Sequence, residues 1–293
     1  MQKQITKHAA KQFTGKRAAA FVLAAVMTVA FMPAFGTGDA AAAAKPKGRL
    51  VKTVTKQYYD KGTKSWEKDS VYTYKYNKHK DPSVITKKSY SESGNLIDTE
   101  KWTEKYTYKS GKRAKRTEKW NYDNPGDVTK WTYDKYGNPK SLYSVSGSLT
   151  RTTKCSFSKY GYIRTETIKD VSEDDGTDIV KYRYRTSMKN GLATKMIGDY
   201  YSEDGWKKDF AYKFNKKGLV TKYSTSGGAY YHPVKYTYKN GRVRSATVTF
   251  YGDPYNIVKE RYIFTYTKKP VKKKRYSKMI NHIIEGGNEF SWY

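Results

Sequence analysis

The chain has 293 residues, with 58 Lys and Arg against 27 Asp and Glu, 30 tyrosines and a net charge of +31. Its one cysteine, Cys155, excludes an intramolecular disulfide, so packing and β-ladders must hold the fold. Four scattered histidines exclude a His/Cys metal centre, and the excess positive charge draws the protein toward anions.

Residues 1–44 read as a secretory signal peptide. Lys3, Lys7, Lys11, Lys16 and Arg17 form a basic flank, and Ala18 to Pro33 is apolar apart from Thr28. Small residues with Ala-x-Ala spacing follow up to Ala44. The apolar stretch of 16 residues is shorter than the roughly 20 that cross a bilayer. Cleavage near residues 40–44 is expected, with no membrane span afterwards. The first 44 residues hold five basic residues and one acid, which leaves 53 against 26 and a net charge of +27. The expected location is secreted or extracellular, with association to the cell surface.

Residues 45–266 form the second unit. Tyrosines alternate there with Thr, Lys, Arg or Val, as in Tyr72-Thr-Tyr74-Lys-Tyr76, Tyr106-Thr-Tyr108, Tyr182-Arg-Tyr184, Tyr236-Thr-Tyr238 and Tyr262-Ile-Phe264-Thr-Tyr266. Period two with aromatic and β-branched residues predicts strands that have one aromatic face and one Lys/Thr-rich face. The last aromatic of each string recurs every 24 to 34 residues: Tyr74, Tyr108, Tyr133, Phe157, Tyr184, Phe214, Tyr238 and Tyr266.

A short polar turn ending in Gly follows most of these anchors, as at Lys109-Ser110-Gly111, Asp134 to Gly137, Ser158 to Gly161, Asn215 to Gly218 and Lys239-Asn240-Gly241. A second turn class lies between anchors, as at Asp60-Lys61-Gly62, Ser91 to Gly94, Asp123 to Asp127, Ser144 to Gly147, Ser172 to Gly176 and Ser202 to Gly205. Each period is thus strand, turn, strand, turn. Eight periods predict an all-β antiparallel meander of roughly sixteen strands built from two-strand repeats. A wide cylinder of sixteen strands would leave a large lumen. The expected form is therefore a strongly curved open sheet or a flattened barrel lined by aromatics. Outward Lys, Thr and Arg do not make the apolar belt of an outer-membrane barrel.

In a meander, alternate turns emerge at opposite edges. The first class predicts a basic rim of Lys109, Lys112, Arg113, Lys159, Lys189, Lys216, Lys217, Lys239, Arg242, Lys268 and Lys269. The second class predicts an acidic-to-neutral rim. Residues 267–293 form a basic segment and a short C-terminal cap. Thr267 to Arg275 carries a Lys run, and Ser277 to Ile284 offers helical turns with Met279, Ile280, Ile283 and Ile284 apolar, ended by Gly286-Gly287. That segment reads as a plug over a sheet end or as a basic wall-binding tail.

Trp131-Thr-Tyr133-Asp134-Lys135-Tyr136-Gly137-Asn138-Pro139 resembles the YD repeat of the Rhs and teneurin families, whose core is Tyr-Asp-x-x-Gly-Asn. Phe214 to Gly218 and Phe157 to Gly161 fit the pattern loosely, and the pattern is similar to that of small exported bacterial repeat proteins of unknown function. The resemblance covers most of residues 50–266. It implies a winding β-sheet; in the large families the sheet forms a shell that often encloses a toxin, and some members contact carbohydrate. This chain is too short for a sealed shell and shows no separate C-terminal toxin domain.

The acidic run Glu173-Asp174-Asp175-Gly176-Thr177-Asp178 lacks the ligand spacing of a calcium loop. No nucleophile elbow or phosphate loop is present, so no catalytic residue, metal or cofactor is expected. Cys155 is expected to be a small core residue. Trp66, Trp102, Trp120, Trp131 and Trp206 are candidates for stacking sugar rings where exposed and for core packing where buried. The aromatic and basic interleaving serves sheet packing, and export sets nucleic acid aside as a partner. The expected function is a secreted, non-catalytic binding or scaffold protein of the cell surface whose partner is anionic wall polymer or glycan. The alternatives are a YD-repeat-type adhesion or delivery module working through protein contacts, and a hydrolase with an unrecognised site in the concavity of the sheet.

Overall fold

The structure is a computed structural model that describes residues 48–284 apart from 125, 173–175, 226–229 and 252–256. The segment 1–44 expected to be a signal peptide, the acids Glu173 to Asp175 and Gly286-Gly287 lie outside the described residues. The alternating strings form sixteen strands: β1 Gly48–Asp60, β2 Ser65–Tyr76, β3 Pro82–Tyr90, β4 Leu96–Lys109, β5 Lys112–Trp120, β6 Val128–Tyr133, β7 Pro139–Ser146 and β8 Leu149–Phe157. The second half is β9 Ile163–Ser172, β10 Gly176–Lys189, β11 Leu192–Ser202, β12 Gly205–Phe214, β13 Val220–Thr225, β14 Tyr230–Lys239, β15 Arg242–Tyr251 and β16 Ile257–Val271. Among the described residues a helix, α1, spans Lys273–Ile284.

Each strand pairs antiparallel with its sequence neighbours, and β1 also pairs with β16, Val54 lying opposite Phe264. The meander is therefore a closed barrel. The expected antiparallel meander of sixteen strands is present, and of the two forms expected, a curved open sheet or a flattened barrel, the sheet takes the closed one. An open sheet of sixteen strands would leave two long edges with unpaired backbone groups, and closure removes both.

The turns at the α1 end come in two kinds. Ser110-Gly111, Asn190-Gly191 and Asn240-Gly241 all have positive φ at both residues, the geometry that matches strand twist in a two-residue hairpin. The others are five-residue loops closed by a side chain. Asp134 Oδ1 accepts from the backbone N–H of Tyr136 (2.8 Å) and of Asn138 (2.9 Å). Asn215 Oδ1 does the same for Lys217 and Leu219, and Asn77 Oδ1 for His79 and Asp81. These Asx turns give the Tyr-Asp-x-x-Gly-Asn unit its physical content.

The aromatic face turns inward and fills the barrel. Trp102, Phe210, Tyr212, Ile85, Ile168 and Met196 are all buried. A buried tyrosine needs a partner for its hydroxyl, and two solutions recur. Tyr76, Tyr236 and Tyr266 donate to the carbonyls of Val51, Val220 and Val243 at 2.6–2.7 Å. Others donate to carboxylates: Tyr184 to Glu166 (2.7 Å), Tyr262 to Glu260 (2.6 Å), Tyr108 to Asp81 (2.7 Å), Tyr106 to Glu104 and Tyr58 to Glu67.

Helix α1 stands in the mouth of the barrel. Arg275 donates to Lys80 O and Asp81 at the β2–β3 turn. Tyr276 accepts from Val243 N–H at 2.8 Å and lies against Gly48. Ser277 and Asn281 bind Lys217 O, Gly218 O and Val220 N–H at the β12–β13 turn. Lys274 and Lys278 donate to Tyr160 O and Gly161 O at the β8–β9 turn. At about 100° per residue, these contacts run round the helix in the order in which the strands run round the barrel. A single turn of helix thus meets the whole circumference, so its axis follows that of the barrel. Residues 275–284 are buried on every side, whereas Lys272 and Lys273 are exposed at the rim.

Candidate functional site

The barrel sorts charge. Apart from Asp60 beside its turn, every carboxylate in a described strand except Asp199 lies on the inward face: Glu67, Asp69, Asp98, Glu100, Glu104, Glu118, Glu166, Asp170, Asp178, Asp209 and Glu260. Most strand lysines face solvent, among them Lys101, Lys105, Lys115, Lys119, Lys130, Lys154, Lys169, Lys195, Lys213 and Lys235. The inward acids pair with Lys56, Lys87, Arg116 and Arg151, as in Lys87–Glu100 (2.7 Å) and Arg151–Asp170 (2.6 Å), or accept from tyrosines. The outer wall is left with a large excess of cations. Its described mid-strand outward positions, such as Thr99-x-Lys101-x-Thr103-x-Lys105, are polar, whereas exposed Ile97, Ile179, Tyr201, Trp206, Tyr231 and Tyr251 lie toward the end away from α1.

The α1 end adds to this charge. Lys109, Lys159, Lys189, Lys216, Lys217, Lys239, Lys268 and Lys269 are exposed there. Lys112 bonds Lys135 O, and Lys217 lies 3.7 Å over the Tyr238 ring. Arg242 is half-buried. Arg113 departs from the expected rim: it is buried and bound to Asp81 at 2.5 Å, beside Arg275. Its parity, shared with Tyr108 across the hairpin register, turns it inward. Burial pushes the Asp81 carboxyl up, but Arg113, Arg275 and the Tyr108 bond outweigh it and hold the carboxyl below its usual value.

Between the β10–β11 turn, the β12–β13 turn and the start of α1 lies a cleft of about 740 Å³ lined by Lys189, Lys216, Lys273 and Lys274 with Leu192 and Phe214. The first turn of α1 carries no acid. The positive end of its dipole therefore lies beside the same cleft as the four lysines, a setting that favours an anion.

The tryptophans divide by face. Trp102 and Trp131 are core, 0% and 4% exposed, and Trp120 stacks on Trp102 at 6.2 Å. Arg116 lies 4.5 Å over Trp131. These three are thereby removed from the set of sugar-stacking candidates, because inward parity encloses them. Trp66 and Trp206 face outward, Trp206 being 39% exposed.

Inside the barrel, burial pushes the Glu166 carboxyl up to about 7, against the Tyr184 hydroxyl bond and Arg151. Burial likewise raises Glu104 against the pull of Arg116. The two lie on β4 and β9, each enclosed by its own tyrosine. Burial, with Glu166 nearby, raises the Cys155 thiol well above its usual value, which removes thiolate character.

The inward acids are the functional feature that the strand pattern alone left unread. Their signal was present: Glu100, Trp102, Glu104 and Tyr106 share one parity, as do Asp178, Val180 and Tyr182.

No family model and no curated protein matches the chain. A porin-like protein from Bacteroides uniformis matches in structure with a TM-score of 0.54 and 13% identity, over 75% of this chain and 98% of that one. A porin-like protein from Bacteroides vulgatus aligns with a TM-score of 0.33 and 12% identity, over 75% and 99% of the two chains. The first likeness is one of fold, an antiparallel β-barrel.

Proposed function

We propose that this is a non-catalytic binding or scaffold protein of the cell exterior, which holds anionic wall polymer or glycan against its basic outer wall and its helix-plugged end. The observation that carries the reading is the sorting of charge. With most strand carboxylates turned inward, the mid-strand outer wall presents lysine and threonine, with few acids, to any polyanion. The basic N-terminal flank and apolar segment support export, and the lysine-rich wall argues against lipid contact.

The test is retention on cell-wall extract and on immobilised acidic polysaccharide as salt rises from about 0.01 M to about 1 M, a range over which the screening length falls from about 30 Å to about 3 Å. Retention at low salt that disappears at high salt is expected. Absence of retention at low salt would overturn the proposal. So would salt-insensitive retention, which is the behaviour of an adhesion module working through protein contacts.

A further inference from the structure

Two places on the outer wall, at the end away from α1, carry the same five-residue arrangement. In the first, Tyr59 on β1 meets Trp66 on β2 edge-on, centroids 5.3 Å apart at 64°. Arg261 on β16 lies 4.3 Å over the Trp66 ring, Lys259 lies 5.5 Å over Tyr59, and Gln57 Oε1 accepts from Arg261 Nε at 3.0 Å. In the second, Tyr201 on β11 meets Trp206 on β12 at 5.3 Å and 68°. Arg183 on β10 lies 4.7 Å over Trp206, Lys181 lies 5.8 Å over Tyr201, and Asp199 Oδ2 accepts from Arg183 Nε at 2.8 Å.

The sequence repeats with the geometry. Tyr58-Tyr59 matches Tyr200-Tyr201, Trp66-Glu-Lys-Asp69 matches Trp206-Lys-Lys-Asp209, and Lys259-Glu-Arg261-Tyr262 matches Lys181-Tyr-Arg183-Tyr184. Asp199 also binds Arg185 at 3.0 Å, so each cluster has a net charge of +2. Core packing does not account for these residues, because the inward positions of the same strands fill the barrel. In the second cluster, Tyr201 is 51% exposed.

We propose that the clusters are twin subsites for a single linear polyanionic glycan. The reading rests on the function proposed above and names where that polymer is gripped. The solvent-facing part of each Trp and Tyr pair offers an apolar ring surface on which the C–H groups of a sugar can pack. The anchor engages Arg Nε, which leaves the Nη edge to pair with a carboxylate or phosphate on the sugar. The two subsites lie six strands apart, roughly 29 Å around the wall at about 4.8 Å per strand. On the intervening strands, Lys222 of β13 reaches 3.9 Å over the ring of outward Tyr231 on β14. A polymer long enough to bridge both subsites gains avidity that a short fragment lacks.

The experiment titrates the protein with long polygalacturonate, glucosylated poly(glycerol phosphate), a galacturonate trimer and inorganic polyphosphate. The proteins compared are the wild type, Trp66→Ala, Trp206→Ala, their double variant, and Lys216→Gln with Lys273→Gln at the basic end. Each single Trp variant is expected to weaken at least one long glycan about tenfold or more. The double variant should bind that glycan no better than the wild type binds the trimer. Polyphosphate binding should stay within about twofold. The polymer that loses affinity tells whether the anion is carboxylate or phosphate. Arg183→Gln and Arg261→Gln, which keep the aromatic pairs, should show the same selective loss. Unchanged glycan affinity in the double Trp variant overturns the twin subsites, as does an equal loss on polyphosphate. Failure of the wild type to bind any polyanion would instead overturn the function on which they rest.

Discussion

The inner and outer faces of this barrel come from the same strands and alternate residue by residue, yet they solve opposite problems. The inner face encloses tyrosines, so it must supply acceptors, and it does so with glutamate, aspartate and strand carbonyls. Those carboxylates are then held by Arg116, Arg151, Lys56 and Lys87. The outer face keeps lysine and threonine, whose polar groups meet water or one another, as in the Thr53–Thr265 and Thr132–Ser141 hydroxyl pairs, and so need no buried carboxylate. A protein with an excess of bases over acids thereby turns most of its strand acids away from the outer wall. The difference shows that the positive surface is in part a consequence of tyrosine burial.

The comparison breaks most severely at Arg116, which is buried between Glu104 and Glu118. Arg116→Ala should cost about 3–5 kcal/mol, because it leaves buried carboxylates without their counter-charge. A shift of the denaturant midpoint would measure it, and an unchanged midpoint would show that the inner ion pairs carry no stability.

Next in size is the pH dependence of the inner face. Glu166 is raised from 4.5 to about 7 in the folded state. A carboxyl so raised binds its proton more tightly when folded. Its contribution is therefore full below about pH 4.5 and is lost as pH climbs to 7, by about 3 kcal/mol at 1.36 kcal/mol per unit. Asp81 is depressed and acts in the opposite sense: its contribution is present above the ordinary aspartate value and is lost as pH falls through its lowered one. Glu166→Gln should flatten the decline between pH 4.5 and 7 in denaturation curves and leave the acid limb in place.

A smaller effect is expected where the plug meets the wall. A Cβ on Gly48 would lie 2.5 Å from Tyr276 Cβ, so Gly48→Ala should cost about 1–3 kcal/mol through overpacking, read as a lower melting temperature. Smallest is the outer wall. Lys101→Gln with Lys105→Gln should change stability by no more than about 0.5 kcal/mol while weakening retention on acidic polysaccharide. A large loss of stability there would mean that the outer lysines are structural.

Much of the fold was legible because period two is a local property. The strings around Tyr74, Tyr108 and Tyr184 marked strands, and Gly-ended turns such as Ser110-Gly111 marked hairpins. Of the site, the basic turns were legible except Arg113, whose direction depends on a register shift next to its hairpin. The five tryptophans could not be sorted by composition. Trp102 and Trp206 both sit in alternating strings, and only strand parity relative to the lumen separates core from surface. The twin clusters have no local signal because each draws on three strands, the first of them across the closure where β16 pairs with β1.

By itself the sequence determined the strands, their antiparallel succession and the division of turns into a basic and an acidic set, since each follows from residues within hydrogen-bonding reach of one another along the chain. Closure, the coaxial helix and the inward burial of the acids were decided by tertiary structure. They depend on contacts between residues as far apart as Val54 and Phe264 or Arg275 and Asp81, where the gain from pairing edges and satisfying buried groups exists only once the whole circumference is in place.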